Sequence, residues 1–345
     1  QHFLIHHKPS AMSLIAGSYE KFIWGFKLKP EVSSETLTLS QLFSYPSHLA
    51  PITTAAASGP IAASGSYDDT IHLYDLTSAS SLGSLSNHHT SSITALNFFT
   101  PPSLSFPRNL ISADASGSVC IFDSDPFVHL KTIKANKKSV NDLSLHPSGR
   151  LALTVGKDEC LSMLNLVRGR RSFCCRLEKE ATLVRFSIDG ERFFMVSNEV
   201  VGIHQAEDAK LVNELHCPKR VIAASPAESG VIFTGGEDRS VIAWDMNSGK
   251  MASKIEGAHS SRVKGIVVLT RGDNGGHEDG FLLASASSDG VIRVWDTRRC
   301  VASGKGVPLA EVNTKSRITC LAGSSLKTVD RSRVSQTDGK KMEEF

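Results

Sequence analysis

The chain is 345 residues long, 40% hydrophobic and 21% charged, the make-up of an ordinary globular protein. A formal net charge of only +3 argues against a dedicated nucleic-acid binder, and no apolar run approaches the ~18–20 residues that a membrane span needs. Seven cysteines, an odd number without paired C-x-x-C spacing, point to a reduced intracellular compartment rather than a disulfide framework.

In chain order, residues 1–12 hold His2, His6, His7 and Lys8 instead of a basic segment followed by an apolar core, so no secretory signal is expected. Met12 reads as the start of the protein proper, and 1–12 as a disordered or additional segment. A recurring phrase then begins. Its first form is Ala16-Gly-Ser-Tyr-Glu-Lys-Phe-Ile-Trp-Gly-Phe26, and it returns as Ser64–Asp75, Ser112–Asp123, Thr154–Asn165, Thr234–Asp245 and Ser285–Asp296. Each copy predicts a strand of small residues, a tight turn, and an alternating apolar strand. The positions that close the phrase are Lys27, Asp75, Asp123, Asn165, Gln205, Asp245 and Asp296, spaced 40 to 51 residues apart. Phe193–His204 has lost the phrase, yet the spacing on both sides requires a unit there. The three wider intervals are assigned to loops over Lys29–Gln41, 100–107 and Arg271–Gly280. Length alone would suggest two domains, but such an array closes into one.

The phrase and its period resemble the WD40 repeat, whose spacing is about 40–45 residues. The resemblance implies an all-β, seven-bladed WD40 β-propeller over 13–322, followed by a flexible basic tail at 323–345. Ser13–Ser18 already reads as the second strand of a blade. Its missing first strand is matched by Arg317-Ile-Thr-Cys-Leu-Ala322, which has the pattern of Ser92–Asn97. The first blade is therefore expected to be closed by a C-terminal strand.

Blades of this kind are fastened by His, Ser or Thr, Asp and Trp in a linked hydrogen-bond network. The last blade carries the full set: His259, Ser285, Asp289 and Trp295. The second has His48, Ser64 and Asp68 with Tyr74 in the Trp place. The third has His89 and Ser112, with Phe122 for Trp and Ser116 for Asp. Asn136 and Leu164 stand for His and Trp in the fourth, and Cys217 stands for His beside Thr234, Asp238 and Trp244 in the sixth. The fifth has none. These residues read as structural rather than catalytic. Asp289 is expected to accept from His259, and its loss to matter more than that of Asp114, which is expected to lie exposed before its turn.

No phosphate loop, zinc-binding helix, nucleophile elbow or kinase signature is present, so neither an enzyme nor a cofactor is expected. Asp273, Asn274 and Asp279 in the Gly272–Gly280 loop lack the regular alternation and terminal Glu of an EF-hand and read as surface. Cys174 and Cys175 alternate across a strand and cannot easily share a metal. Three basic clusters are candidate contacts for an acidic partner or for RNA phosphates: Lys134, Lys137 and Lys138 on one face, Arg168, Arg170 and Arg171 on the other, and Arg298 with Arg299 in a turn like that of Arg168. Solvated loop charge is the plainer reading of all three, and base-stacking aromatics are not interleaved with them.

Beyond the generic repeat, Ala16–Phe26, His146–Asp158, Asn165–Arg170, Ser285–Gly290 and Val312–Leu321 resemble one family: the p21-activated kinase-interacting protein and its fungal relative, a maintenance-of-killer protein. The resemblance implies a nucleolar factor for large ribosomal subunit maturation and pre-rRNA processing. Its implied partners are ribosome assembly factors, pre-large-subunit particles and pre-rRNA, with a p21-activated-type kinase as a further partner restrained by binding. No membrane association and a monomeric ring are expected. Ribosome assembly ranks above kinase inhibition. The family's long Lys-rich tail is reduced here to Lys327, Arg331, Arg333, Lys340 and Lys341. A third reading, substrate receptor of a ubiquitin ligase, rests on the W-D-x-R match of Trp295-Asp296-Thr297-Arg298.

Overall fold

Ser, Ala and Gly side chains are small enough for a strand to be covered on both faces, and the repeated phrase puts such residues in the second strand of each blade. In the computed structural model, which describes residues 12–30, 37–269, 282–297 and 306–325, Met12–Ser18, Ile61–Ser66 and Leu282–Ser287 are buried along their whole length. Outer strands such as Ser80–Leu85 face water almost throughout. Each blade is thus driest at its second strand, and inner strands such as Ile52–Ser58 are only partly buried.

Seven four-stranded antiparallel sheets form, one per blade. Their innermost strands are Ile318–Ser325, Ile52–Ser58, Ile93–Phe99, Val140–Leu145, Leu183–Phe186, Val221–Pro226 and Val263–Leu269, and each touches the next until the last meets the first. The first blade is closed as expected: Ile318–Ser325 pairs with Met12–Ser18, with Ala16 opposite Leu321 and Ile15 opposite Ala322. The blade expected around Phe193–His204 is also present, as Arg192–Ser197 paired with Val200–Gln205. One expectation is corrected. Lys29–Gln41 is not simply a loop, because the third strand of blade 1 runs to Pro30 and the outer strand, Leu37–Pro46, pairs with it. The extra length of that repeat goes into a long hairpin. Residues 100–107 do form a connection without strand, and Arg271–Gly280 lies outside the described residues.

Apolar side chains gather between blades. Leu14, Phe26, Ile292 and Val294 join blades 7 and 1; Ile23, Ile52 and Tyr74 join 1 and 2; Phe194, Val201, Ile232 and Trp244 join 5 and 6. Burying one such side chain contributes roughly 1.5–3 kcal/mol. Glycine permits the approach: a Cβ on Gly17 would sit 2.5 Å from the Ile52 side chain, and one on Gly65 would sit 2.5 Å from Ile93.

A bulge recurs near the start of the inner strand, leaving one residue without a cross-strand partner: Thr319, Thr53, Thr94, Asn141, Ile222 and Lys264. Several of these tie one blade to the next. The Thr319 hydroxyl donates to the Ile52 carbonyl (2.6 Å), and the Asn141 amide donates to that of Ala181 (2.9 Å). The geometry defines two faces. The upper face bears the turns between second and third strands and the loops that lead into each inner strand; the lower face bears the other turns.

Candidate functional site

The fasteners lie beneath the upper face, where the loop from one blade meets the turn of the next. In blade 7 the Trp295 indole donates to the Ser285 hydroxyl oxygen (2.8 Å), which is 2.8 Å from His259 Nε2. An indole can only donate, whereas the hydroxyl can both donate and accept, so Ser285 links the Trp295 indole to His259 Nε2. Burial holds the His259 pKa down at about 4. Asp289 Oδ2 lies 3.7 Å from Nδ1, beyond hydrogen-bond range. Its carboxylate accepts instead from the Ser260 amide (3.0 Å) and hydroxyl (2.9 Å) and from the Val291 amide (3.0 Å). Asp289 therefore clamps the loop rather than His259, contrary to the sequence expectation.

Blade 2 repeats the arrangement with a phenol. Tyr74 Oη and His48 Nε2 each lie 2.8 Å from the Ser64 hydroxyl, and Asp68 is 3.1 Å from His48 Nδ1 while accepting from the Leu49 amide (2.8 Å). Burial, reinforced by the neighbouring His72 ring, lowers the His48 pKa to about 4 despite Asp68.

Blade 3 differs from both. The acid is Asp114, not the turn residue Ser116. Asp114 lies opposite Ile93 in the register where Ser66 lies opposite Ile52 and Ser287 opposite Val263, so the carboxylate sits deeper than a turn Asp. It is 1% exposed, not exposed as expected, and lies 2.7 Å from His89 Nδ1 while accepting from the Ser116 hydroxyl (2.6 Å) and the Ser118 amide (3.0 Å). His89 Nε2 meets the Ser112 hydroxyl at 2.6 Å. Phe122 has no proton to donate to that hydroxyl, which leaves its oxygen free to accept from Nε2–H. Burial is the largest influence and opposes a charged His89, but the hydrogen bond to Asp114, the Cys120 thiol and the Asp114 charge together outweigh it and raise its pKa to about 9. Burial likewise acts to raise the Asp114 pKa, and the bonds from His89 and Ser116 reverse this and lower it. This blade is fastened by a buried ion pair.

In blade 4 Asn136 does the work of a neutral His. Its Oδ1 accepts from the Thr154 hydroxyl (2.8 Å), and its Nδ2 donates to Asp158 (2.9 Å), which also accepts from the Lys137 amide (2.7 Å). In blade 6 the chain is broken. Trp244 donates to Thr234 (2.9 Å), but Cys217 does not bridge to Asp238, whose Oδ2 is buried without a partner among the described residues and whose pKa is raised by that burial. The signals for these departures were the Asp in Ser112-Ala-Asp114 and the Asn and Cys in the His place.

The basic clusters fall on opposite faces. Lys134 ends the outer strand of blade 3 on the upper side and donates to the Ser116 carbonyl (2.5 Å), with exposed Lys137 and Lys138 beside it. Arg168 and Arg170 flank a lower turn and are exposed, while Arg171 spends one guanidinium donor on the Ala135 carbonyl (3.0 Å). Arg298 and Arg299, and with them the W-D-x-R match, lie outside the described residues. Sequence reasoning missed a further upper-face set, Arg220, Arg262 and Arg317, each of which immediately precedes an inner strand. A groove of about 870 Å³ between blades 4 and 5 is lined by Leu153, Met163, Phe173, Phe186 and Phe193. Among the described residues no three His, Cys, Asp or Glu converge as metal ligands, and no helix is long and apolar enough to cross a membrane. The arrangement presents surfaces. Its histidines and carboxylates are committed to holding the blades.

Comparison with known proteins agrees with this architecture. The WD domain, G-beta repeat model matches residues 39–75, 127–163 and 254–296. A p21-activated protein kinase-interacting protein 1-like protein of Danio rerio is 32% identical over 310 residues, covering 90% of this chain and 80% of its own length. The human p21-activated protein kinase-interacting protein 1 is 33% identical over 317 residues, covering 90% and 76%. Protein MAK11 of Saccharomyces cerevisiae is 26% identical over 328 residues, covering 82% and 77%. With a ring closed by the split first blade that the strand patterns of Ser13–Ser18 and Arg317–Ala322 implied, and with relatives matched along nearly all of it, the chain belongs to the p21-activated protein kinase-interacting protein 1 family of WD40-repeat proteins.

Proposed function

We propose that this chain is a non-catalytic scaffold of ribosome biogenesis, acting in the nucleolus in large-subunit assembly and pre-rRNA processing. The observation that carries this reading is the extent of the family match, 90% of the chain. A match of that length extends well beyond the three repeats that the WD domain, G-beta repeat model matches. The commitment of His48, His89 and His259 to blade fastening supports a binding rather than a catalytic role. Its partners are assembly factors and pre-large-subunit particles, reached through the two faces of the ring. Affinity purification of the intact protein, with identification of bound proteins and RNA, tests this. Recovery of large-subunit precursors is the expected result, and their absence from an otherwise well-populated eluate refutes it.

A second reading, binding to a protein kinase of the p21-activated type, is favoured by the names of the animal relatives, which are called interactors of such a kinase. Direct capture of a purified kinase regulatory region by the isolated ring tests it.

A further inference from the structure

The upper mouth of the ring carries a cluster of cations that the blade-fastening scheme does not use. In six blades the residue just before the inner strand is fixed by the same backbone bond: its carbonyl accepts the amide of the first turn residue. The pairs are Tyr19 to Arg317, Tyr67 to Pro51, Ala115 to Ser92, Lys157 to Ser139, Glu237 to Arg220 and Ser288 to Arg262. This ring of equivalent positions is Pro, Ser and Ser in blades 2 to 4, but Arg in blades 6, 7 and 1, which are neighbours. Beside them, Lys264 stands at the bulge position that Thr or Asn fills in blades 1 to 4. None of the four cations forms a salt bridge among the described residues.

They act on one another. Burial lowers the Lys264 pKa, and Arg262, Arg317 and Arg220 lower it further, with Glu237 opposing them. A depression of about 450 Å³ is lined by two of them, Arg262 and Arg317, together with Glu237, Arg239, Ser260, Ser261 and Ser288; Arg220 and Lys264 are not part of its lining. The Ser288 hydroxyl in that lining is buried and has no hydrogen-bond partner among the described residues. Concentrated positive charge, forked guanidinium donors and a spare hydroxyl together match the oxygens of one dianion.

The surroundings distinguish one dianion from a polyanion. Across the same face stand three exposed apolar side chains on blades 1 and 2: Tyr19, Leu49 and Tyr67. A nucleic-acid strand running from the arginines to these rings would meet Glu20, whose carboxylate accepts the Arg317 amide (2.9 Å), and Asp68 and Asp69 beside Tyr67. Tyr19 is moreover already under the Arg317 guanidinium, 5.4 Å from its ring centroid. A peptide carries its charge at one residue and apolar groups beside it, and tyrosine and arginine are the side chains that protein interfaces favour.

We propose that Arg262 and Arg317, with Arg220 and Lys264 adding positive charge nearby, form a receptor for a single phosphoserine or phosphothreonine of a partner protein, with Tyr19, Leu49 and Tyr67 receiving the apolar residues that flank it. The site is independent of whether that partner is an assembly factor or a kinase.

The test uses the full chain and three fluorescein-labelled probes: a Leu-flanked peptide with one phosphoserine, the same peptide unphosphorylated, and a ten-nucleotide oligouridylate. Fluorescence anisotropy should show the phosphopeptide binding at least ten-fold more tightly than its twin. Arg262→Ala with Lys264→Met should remove at least ten-fold of that affinity, as should exposed Arg317→Ala alone, which guards against a folding defect in the double variant. Arg168→Ala with Arg170→Ala on the lower face should change nothing. Equal binding of the two peptides, no binding of the phosphopeptide, or oligouridylate binding that is tighter and lost in the same variants would each overturn the proposal, the last in favour of an RNA contact.

Discussion

Replacing Asp114 by Ala should damage this fold more than replacing Asp289 by Ala, although Asp289 belongs to the complete set and Asp114 to a degenerate one. In blade 3 the carboxylate, with a smaller contribution from Cys120, holds the His89 pKa at about 9, against 6.5 for a free imidazole. At roughly 1.4 kcal/mol per pKa unit the whole shift corresponds to about 3 kcal/mol, an upper bound for the pairing itself. Breaking one partner of a buried pair costs roughly 3–5 kcal/mol once the lost hydrogen bonds are included. Asp289 is 13% exposed and loses bonds to two amides and a hydroxyl, worth about 1.5–3 kcal/mol. The assay is urea denaturation at pH 7 followed by circular dichroism, with both variants beside the parent. The pH dependence supplies a second check. A raised histidine pKa stabilises fully below about pH 6.5 and its contribution is lost as pH rises through about 9, so the gap between parent and Asp114→Ala should narrow from pH 6.5 to 9.5. An Asp289→Ala loss equal to or larger than that of Asp114→Ala, or a gap independent of pH, would refute the ion-pair account of blade 3.

His48 and His259 should act in the opposite sense. Their pKa values are held down at about 4, so the stability they support is present above about pH 6.5 and is lost as pH falls toward 4, on the order of 2 kcal/mol each by pH 5. Urea midpoints that rise between pH 7 and pH 5 would contradict this. Cys217→His should complete the network of blade 6 by supplying a donor to the unpartnered Asp238 oxygen and raise stability by about 1 kcal/mol, read as a higher thermal midpoint; a lowered midpoint would show that the site cannot accept the ring. Asn136→Asp should be destabilising by at least 1 kcal/mol, because a carboxylate would face Asp158 where an amide now donates, whereas Asn136→His should be tolerated. In blade 5, which has no polar fastener, Phe194→Ala should cost about 3–5 kcal/mol, and a loss below 1 kcal/mol would mean that packing does not hold that blade.

The ring itself was legible because its strands repeat. The closing positions from Lys27 to Asp296 all fall opposite the first described residue or residues of a second strand, as Asp75 does opposite Ile61 and Asp245 opposite Val231. The split first blade was legible for the same reason, since Arg317–Ala322 carries an inner-strand pattern with no other strand to join. What the pattern could not convey was depth. Asp114 and Ser116 differ by two residues in sequence, but one lies inside the blade and the other in the turn, and only the register reveals which carboxylate meets the histidine. Lys29–Gln41 carried loop-like polar residues, yet Thr38 and Ser40 donate their hydroxyl protons across a long hairpin. The arginines at the ring mouth were invisible as a group because each is a single residue, about 40–55 positions from the next, and they meet only when blades 6, 7 and 1 close.

The most direct test of the scaffold role is sedimentation of the tagged, full-length protein from cell extract through a sucrose gradient, with pre-rRNA probed in each fraction. Co-migration with large-subunit precursors, and accumulation of unprocessed pre-rRNA when the protein is depleted, is the predicted result. Migration wholly at the position of the free protein, with normal pre-rRNA processing after depletion, would contradict it.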